Sequence, residues 1–204
     1  GDSIMASTSS NYGNEMCDTL VQLGWQLEVA AQSGSFVDFG LKVLDQRLEA
    51  GWDTAVVFLG TNFDGNQANY ENKMRKIFER LSPMPFVVLT TALFDPRQQK
   101  VNDVIMNLAS DFPNVTVLDW SIIAENDGII GTDRIHLSAD GRSVFAAAIA
   151  RALEFAPTRE GKCLPMFFRS EPPVPEVVPE ETVPVESETT VPVDVLPDTS
   201  TTLP

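Results

Sequence analysis

Thr54-Ala55-Val56-Val57-Phe58-Leu59, running straight into Gly60-Thr61-Asn62, is an unbroken apolar segment with a polar turn at its carboxyl end. A strand that alternates apolar and polar side chains has one wet face. This one has none, so both faces must be covered, as in a parallel sheet packed between helices. The flanks agree. Upstream, Leu41, Leu44 and Leu48 recur at helical spacing from about residue 37 to 50, and Gly51 stops the run. Downstream, residues 66–81 read as a helix charged on one side, and Pro83 and Pro85 break the chain before the strand at 86–90.

The same alternation extends in both directions. Met16, Leu20 and Leu23 mark a helix at about 14–23 with Gly24 as its stop, and 26–31 reads as a strand. Val101, Ile105 and Leu108 face inward on a helix at 98–110, 115–118 is a short strand, and 140–155 is an alanine-rich closing helix. Residues 4–13, small and polar, are expected to form a loop. Strand and helix in regular alternation predict an α/β domain, three layers deep, with a parallel sheet between helices. In such sheets ligands meet the carboxyl ends of the strands. Gly34, Gly60 to Asn62 and Thr91 to Asp95 all fall at those ends.

Composition sets bounds on function. The chain has 204 residues, 43% of them hydrophobic, and a formal charge of −15. From Glu171 onward there are eight acidic residues and no Lys or Arg, leaving 21 acidic against 14 basic residues, or −7, in residues 1–170. No basic cluster offsets this charge, which repels phosphate backbones and argues against nucleic acid as a partner. With one histidine and two distant cysteines there is no ligand set for zinc. Cys17 and Cys163 fit either a disulfide formed in an oxidising compartment or two buried thiols. No run of 18 apolar residues is present. Residues 171–204 hold eight of the 14 prolines among Val, Glu, Thr and Ser, so a domain at 1–164 and a disordered, extended tail at 165–204 are expected.

The polar residues that can carry chemistry are few. His136 is the only imidazole, and Asp133 stands three residues before it. Serine needs a base to take its proton, and the base needs a third group to hold its tautomer. Ser3, in Gly1-Asp2-Ser3, is the candidate nucleophile, His136 the base, and Asp133 the acceptor of the imidazole Nδ1–H. Taken alone, each has a plainer reading: Ser3 as a helix cap, Asp133 as loop polarity, and Asn62 as a turn former. Asp2 is expected to order its loop by side-chain to backbone bonds.

The four blocks in order, Gly1-Asp2-Ser3, Gln32-Ser33-Gly34-Ser35, Gly60-Thr61-Asn62 and Asp133-Arg134-Ile135-His136, resemble the SGNH (GDSL-type) hydrolases over residues 1 to about 156. Ile4-Met5, Gly51-Trp52-Asp53 and the Leu137 and Gly141 that follow His136 are similar to the extracytoplasmic SGNH domain attached to membrane acyltransferases that O-acetylate cell-wall and surface polysaccharides. The resemblance implies a flavodoxin-like SGNH fold. It also implies Ser3, His136 and Asp133 as catalytic residues, and an oxyanion hole from the N–H groups of Ser3 and Gly34 and the amide of Asn62. No cofactor is implied.

The substrate would be an acyl ester, acetyl above all, of a carbohydrate outside a bacterial cytoplasm. The chain would be a monomeric domain, at the cell surface or secreted, fused downstream of a membrane acyltransferase. The family places a strand ahead of Gly-Asp-Ser, so the first strand is expected to be missing or truncated here. Two departures from the pattern stand out: Phe63 separates Asn62 from Asp64, and Arg134 stands where many acyltransferase-linked members have Gly. Other readings are a secreted esterase or lipase of small acyl esters, and an inactive SGNH-fold binding module.

Overall fold

A computed structural model describes residues 1–156 and 160–168, so the tail expected at 165–204 lies, from residue 169 onward, outside the described residues. The chain opens with one helical turn, α1 (Ser3–Ala6), capped by Asp2. Helix α2 (Glu15–Leu20) tightens into a 3₁₀ turn at Val21–Leu23 and ends at Gly24, whose φ of 86° favours glycine. Strand β1 (Gln26–Leu27), helix α3 (Asp38–Arg47), strand β2 (Ala55–Val57) and helix α4 (Gln67–Leu81) follow. Then come β3 (Phe86–Leu89), α5 (Arg97–Ala109), β4 (Val115–Leu118), the turn α6 (Trp120–Ile123), α7 (Ala139–Leu153) and β5 (Lys162–Cys163).

All described pairings between strands are parallel. β2, β3 and β4 form one piece of sheet and β1 with β5 another. Side chains alternate between the two faces as strand geometry requires. Val57, Leu59, Phe86 and Val88 pack against α3, α4 and α5, while Phe58, Val87 and Leu89 pack with α2 and α7. Phe145 of α7 meets Phe58 and Trp120 edge-on at 5.3 and 4.8 Å. Each fully buried side chain of this size contributes roughly 1.5–3 kcal/mol by burial. Helices on both faces of a parallel sheet match the architecture expected from the sequence.

Several local expectations change. Residues 4–13 are not wholly a loop, because the Asp2 side chain accepts the Ile4 N–H and starts a turn that buries Ile4, Met5 and Ala6. Of the strand expected at 26–31, only Gln26–Leu27 is paired as a strand. The helix expected to 50 becomes 3₁₀ over Leu48–Ala50. α6 and β5, four and two residues long, are too short to leave a periodic signal. Phe168 packs edge-on against Phe39 of α3 at 5.3 Å. Among the described residues no helix is long and apolar enough to cross a membrane.

The two cysteines are joined. Cys17 of α2 and Cys163 of β5 form a disulfide with a Cα–Cα distance of 5.5 Å, well inside the range such a bridge needs. It fixes the last described strand to helix α2 across 146 residues of chain. No free thiol should therefore be titratable in the unfolded, unreduced protein. Reduction should cost about 3–5 kcal/mol of stability, read as a lower Tm. Two titratable thiols in protein purified from an oxidising compartment would contradict the bridge.

Candidate active site

Ser3 begins α1, and its position is set by its neighbour. The fully buried Asp2 accepts the N–H of Ile4 on Oδ1 at 3.0 Å and the N–H of Thr61 on Oδ2 at 3.2 Å. Its own N–H donates to the carbonyl of Phe58 at 3.1 Å. The Gly-Asp-Ser turn is thus tied to the end of β2 and to the Gly60-Thr61-Asn62 loop. Asn62 in turn donates from Nδ2 to the carbonyl of Ser35 at 3.1 Å, which draws in the loop that holds Gly34. Gln32 donates its N–H to the carbonyl of Gly1 at 3.1 Å. Three loops far apart in sequence are interlocked by backbone groups and two polar side chains.

Gly34 sits in this loop with φ 73°, exposed and with open space where a Cβ would be. Glycine is needed there for the left-handed backbone rather than for close packing. Behind the Thr61 carbonyl, Gln98 donates from Nε2 at 3.4 Å. Asn102 accepts the Thr91 N–H at 2.8 Å and donates to the Thr91 carbonyl at 2.9 Å. This buried support was not read from the sequence. Gln98 and Asn102, on the inward face of α5, were its only trace.

His136 arrives from the other end of the chain. Residues 128–138 form a small hairpin with an antiparallel bridge between Ile130 and Leu137. Ser138 caps α7, its Oγ accepting the Gly141 N–H at 2.9 Å. A Cβ at Gly141 would lie 1.9 Å from the Ile129 carbonyl oxygen, so glycine lets the hairpin rest directly on the helix. Within the hairpin, Asp133 Oδ1 accepts the N–H groups of Ile135 and His136, both at 2.9 Å. Its Oδ2 lies 2.7 Å from His136 Nδ1. On the far side of the ring, Nε2 lies 3.2 Å from Ser3 Oγ.

The structure therefore brings Ser3, His136 and Asp133 together in one chain of contacts. The Ile135 N–H, the His136 ring and the His136 N–H hold the Asp133 carboxyl well down, to about 2. It is ionised throughout the neutral range and can accept a proton-bearing Nδ1, which leaves Nε2 as the acceptor toward Ser3. Arg134 adopts φ 63°, a backbone that favours glycine. Beside Asn62 lies a depression of about 270 Å³ lined in part by Phe36, Asp64, Asn69 and Lys73. Phe36 is 49% exposed, and Lys73 is held by Asp38 at 2.7 Å.

Comparison with protein-family models and with curated protein sequences gives no match. Solved structures do match. A putative lipolytic protein of the G-D-S-L family from Desulfitobacterium hafniense has a TM-score of 0.61 at 15% identity, covering 74% of this chain and 95% of that one. A family 3 carbohydrate esterase from Clostridium thermocellum has a TM-score of 0.58 at 18% identity, covering 76% and 96%. The C-terminal catalytic domain of Streptococcus pneumoniae peptidoglycan O-acetyltransferase A has a TM-score of 0.57 at 22% identity, covering 75% and 89%. At these identities the likeness speaks to the fold: the chain has the SGNH-type α/β fold of these proteins.

Proposed function

We propose that the chain is a serine-dependent esterase or O-acyltransferase that moves an acetyl group of an extracytoplasmic carbohydrate through an acyl-enzyme on Ser3. The observation that carries this reading is the contact sequence Ser3 Oγ, His136 Nε2, His136 Nδ1 and Asp133 Oδ2, at 3.2 and 2.7 Å. Ser3 Oγ attacks the ester carbonyl carbon while its proton passes to Nε2, and Asp133 steadies the imidazolium. The oxyanion is met by the N–H groups of Ser3 and Gly34 and by Asn62. The Asn62 amide has two hydrogens, and the bond to Ser35 uses one. The ester C–O bond then breaks, and Nε2 returns the proton to the departing alcohol. Water or a sugar hydroxyl reverses these steps and frees Ser3.

Other features support the cellular and chemical setting. A disulfide at Cys17–Cys163 suits an oxidising compartment outside the cytoplasm. The structural neighbours include a carbohydrate esterase and a peptidoglycan O-acetyltransferase domain. The depression beside Asn62 offers the exposed ring of Phe36 as a surface for a sugar ring, with Asp64 and Asn69 as partners for hydroxyls. The same reading makes the chain a monomeric surface or secreted domain, joined in the whole protein to a membrane acyltransferase.

Acetylated glycan and p-nitrophenyl acetate, assayed side by side, test the proposal. Ser3→Ala should abolish turnover of both, and Phe36→Ala should raise KM for the glycan several-fold while leaving p-nitrophenyl acetate almost unaffected. Wild-type rates retained by Ser3→Ala would end the proposal. Adding a sugar acceptor then divides the acetyl group between water and sugar, separating hydrolase from transferase.

Asp133→Asn should keep the fold and lower kcat by roughly two to four orders of magnitude, because the amide no longer selects the imidazole tautomer. In the wild type, the native carboxyl lies below its unfolded range. The stability it contributes is complete above about pH 4 and is lost as pH falls toward about 2. Asp133 should therefore not shape the activity profile between pH 5 and 8. A kcat for Asp133→Asn within threefold of wild type would contradict its role.

A further inference from the structure

After β5 the chain leaves the sheet and runs against α3 as a short strap. β5 lies parallel to β1, the Leu164 N–H donates to the Leu27 carbonyl at 2.8 Å, and Cys163 is held to α2 by the disulfide. Four residues beyond Cys163, the Phe167 N–H donates to Glu28 Oε1 at 3.3 Å, while Glu28 Oε2 accepts from Arg47 of α3 at 2.6 Å. The Arg47 guanidinium also lies over the Phe167 ring at 5.3 Å. The Glu28 side chain is only 4% exposed. A carboxylate so far from water is tolerated because both of its oxygens are met, and meeting them pins the strap to the helix.

What the strap delivers to α3 is Phe168. It is 9% exposed, meets Phe39 edge-on at 5.3 Å, and has Lys42 Nζ 5.5 Å from its ring centre. Rings paired in this way favour one mutual orientation, so the contact resists sliding as well as separation. Phe39 stands in the first turn of α3, which has two other supports. Gly40, where a Cβ would lie 2.8 Å from Leu59 Cδ1 and 2.7 Å from Ile77 Cδ1, lets the helix close on the sheet and on α4. Asp38 pairs with Lys73 of α4 at 2.7 Å, but its side chain is largely in solvent and such a pair holds weakly. This turn continues directly from the Gly34-Ser35-Phe36 loop. The Phe39 N–H donates to the Phe36 carbonyl at 3.0 Å, and the Ser35 carbonyl holds the Asn62 amide.

We propose that Phe168 is a positioning residue for acyl transfer: through Phe39 it fixes the first turn of α3, and with it the Gly34 N–H and the Asn62 amide as oxyanion donors. The inference rests on the reading of Ser3 as the residue that takes the acyl group. Ser3 and His136 are placed by other contacts, Asp2 to Ile4 and Asp133 to the imidazole, so the strap governs one half of the site. Loss of the Phe168 ring leaves the proton chain from Ser3 to Asp133 assembled and lets the two donors drift. Those donors act on charge that develops in the transition state, so the loss falls on kcat and spares KM for a small ester.

The test compares Phe168→Ala, Phe168→Leu and Phe112→Ala in the 204-residue chain, with p-nitrophenyl acetate as substrate. Phe112 packs edge-on against Phe78 at 5.4 Å between α5 and β4, at the amino ends of the strands, so its truncation weakens the fold away from the site. Phe168→Ala should lower kcat roughly tenfold at constant KM, and Phe168→Leu should recover most of that loss. Phe112→Ala should lower Tm and leave kcat unchanged. Added to Asn62→Ala, which already lacks one donor, Phe168→Ala should cost about threefold or less. Amide exchange at Gln32, Ser35 and Phe39 needs no turnover, and it should quicken roughly tenfold in Phe168→Ala but not in Phe112→Ala. A wild type that cleaves no ester while exchange responds in this way would refute the acyl chemistry and uphold the hold of Phe168 on the loop. Unchanged exchange and kcat in Phe168→Ala, or an equal fall of kcat in Phe112→Ala, would overturn the proposal.

Discussion

One buried carboxyl group organises the site. Asp2 has no contact with solvent, and its two oxygens accept backbone N–H groups from Ile4 and Thr61. Burial pushes this carboxyl up from its ordinary range while the Ile4 and Thr61 N–H groups pull it back down, and leaving either buried donor unmet would cost about 1–3 kcal/mol. The bond to Ile4 makes the turn that presents Ser3, while the bond to Thr61 sets the loop that presents Asn62. A single side chain therefore fixes the distance between nucleophile and oxyanion donor. The Asn62 bond to Ser35 extends the same linkage to the Gly34 loop.

The rest of the fold brings the imidazole to that fixed point. His136 is 133 residues from Ser3 and reaches it on a hairpin seated in the core by Ile129 and Leu137. Its precision comes from Asp133, which binds two backbone N–H groups as well as the ring, and from the close seat on Gly141. α7 is anchored in turn by Phe145, packed between Phe58 and Trp120. Ser3 and His136 are therefore referred to the same sheet from opposite ends of the chain.

Much of this was legible in the sequence because the signals were periodic or compositional. The apolar run 54–59 implied a strand covered on both faces, and the leucine spacing at 41, 44 and 48 implied the helix beside it. A sole histidine with an aspartate three residues before it pointed to the hairpin pair without any alignment. The unread features depend on tertiary contacts. Nothing local shows that Ile4, Met5 and Ala6 are helical, since the turn depends on a buried cap. Two cysteines 146 residues apart say nothing of whether their backbones meet. The support that Gln98 gives the Thr61 carbonyl and Asn102 gives Thr91 uses residues that read as ordinary helix polarity. Arg134 stands out in the sequence only as a departure from glycine, and its left-handed backbone is a tertiary feature that no local pattern shows.

The central claim is that the hydroxyl of Ser3 is activated by His136 and is the atom that takes the acyl group. Intact-mass and peptide mapping after exposure to a fluorophosphonate addresses it most directly. The account predicts one adduct per chain, located on Ser3, and slowed at least a hundredfold by His136→Ala in a folded protein. An adduct on another residue, or equal labelling of Ser3 without His136, would contradict it.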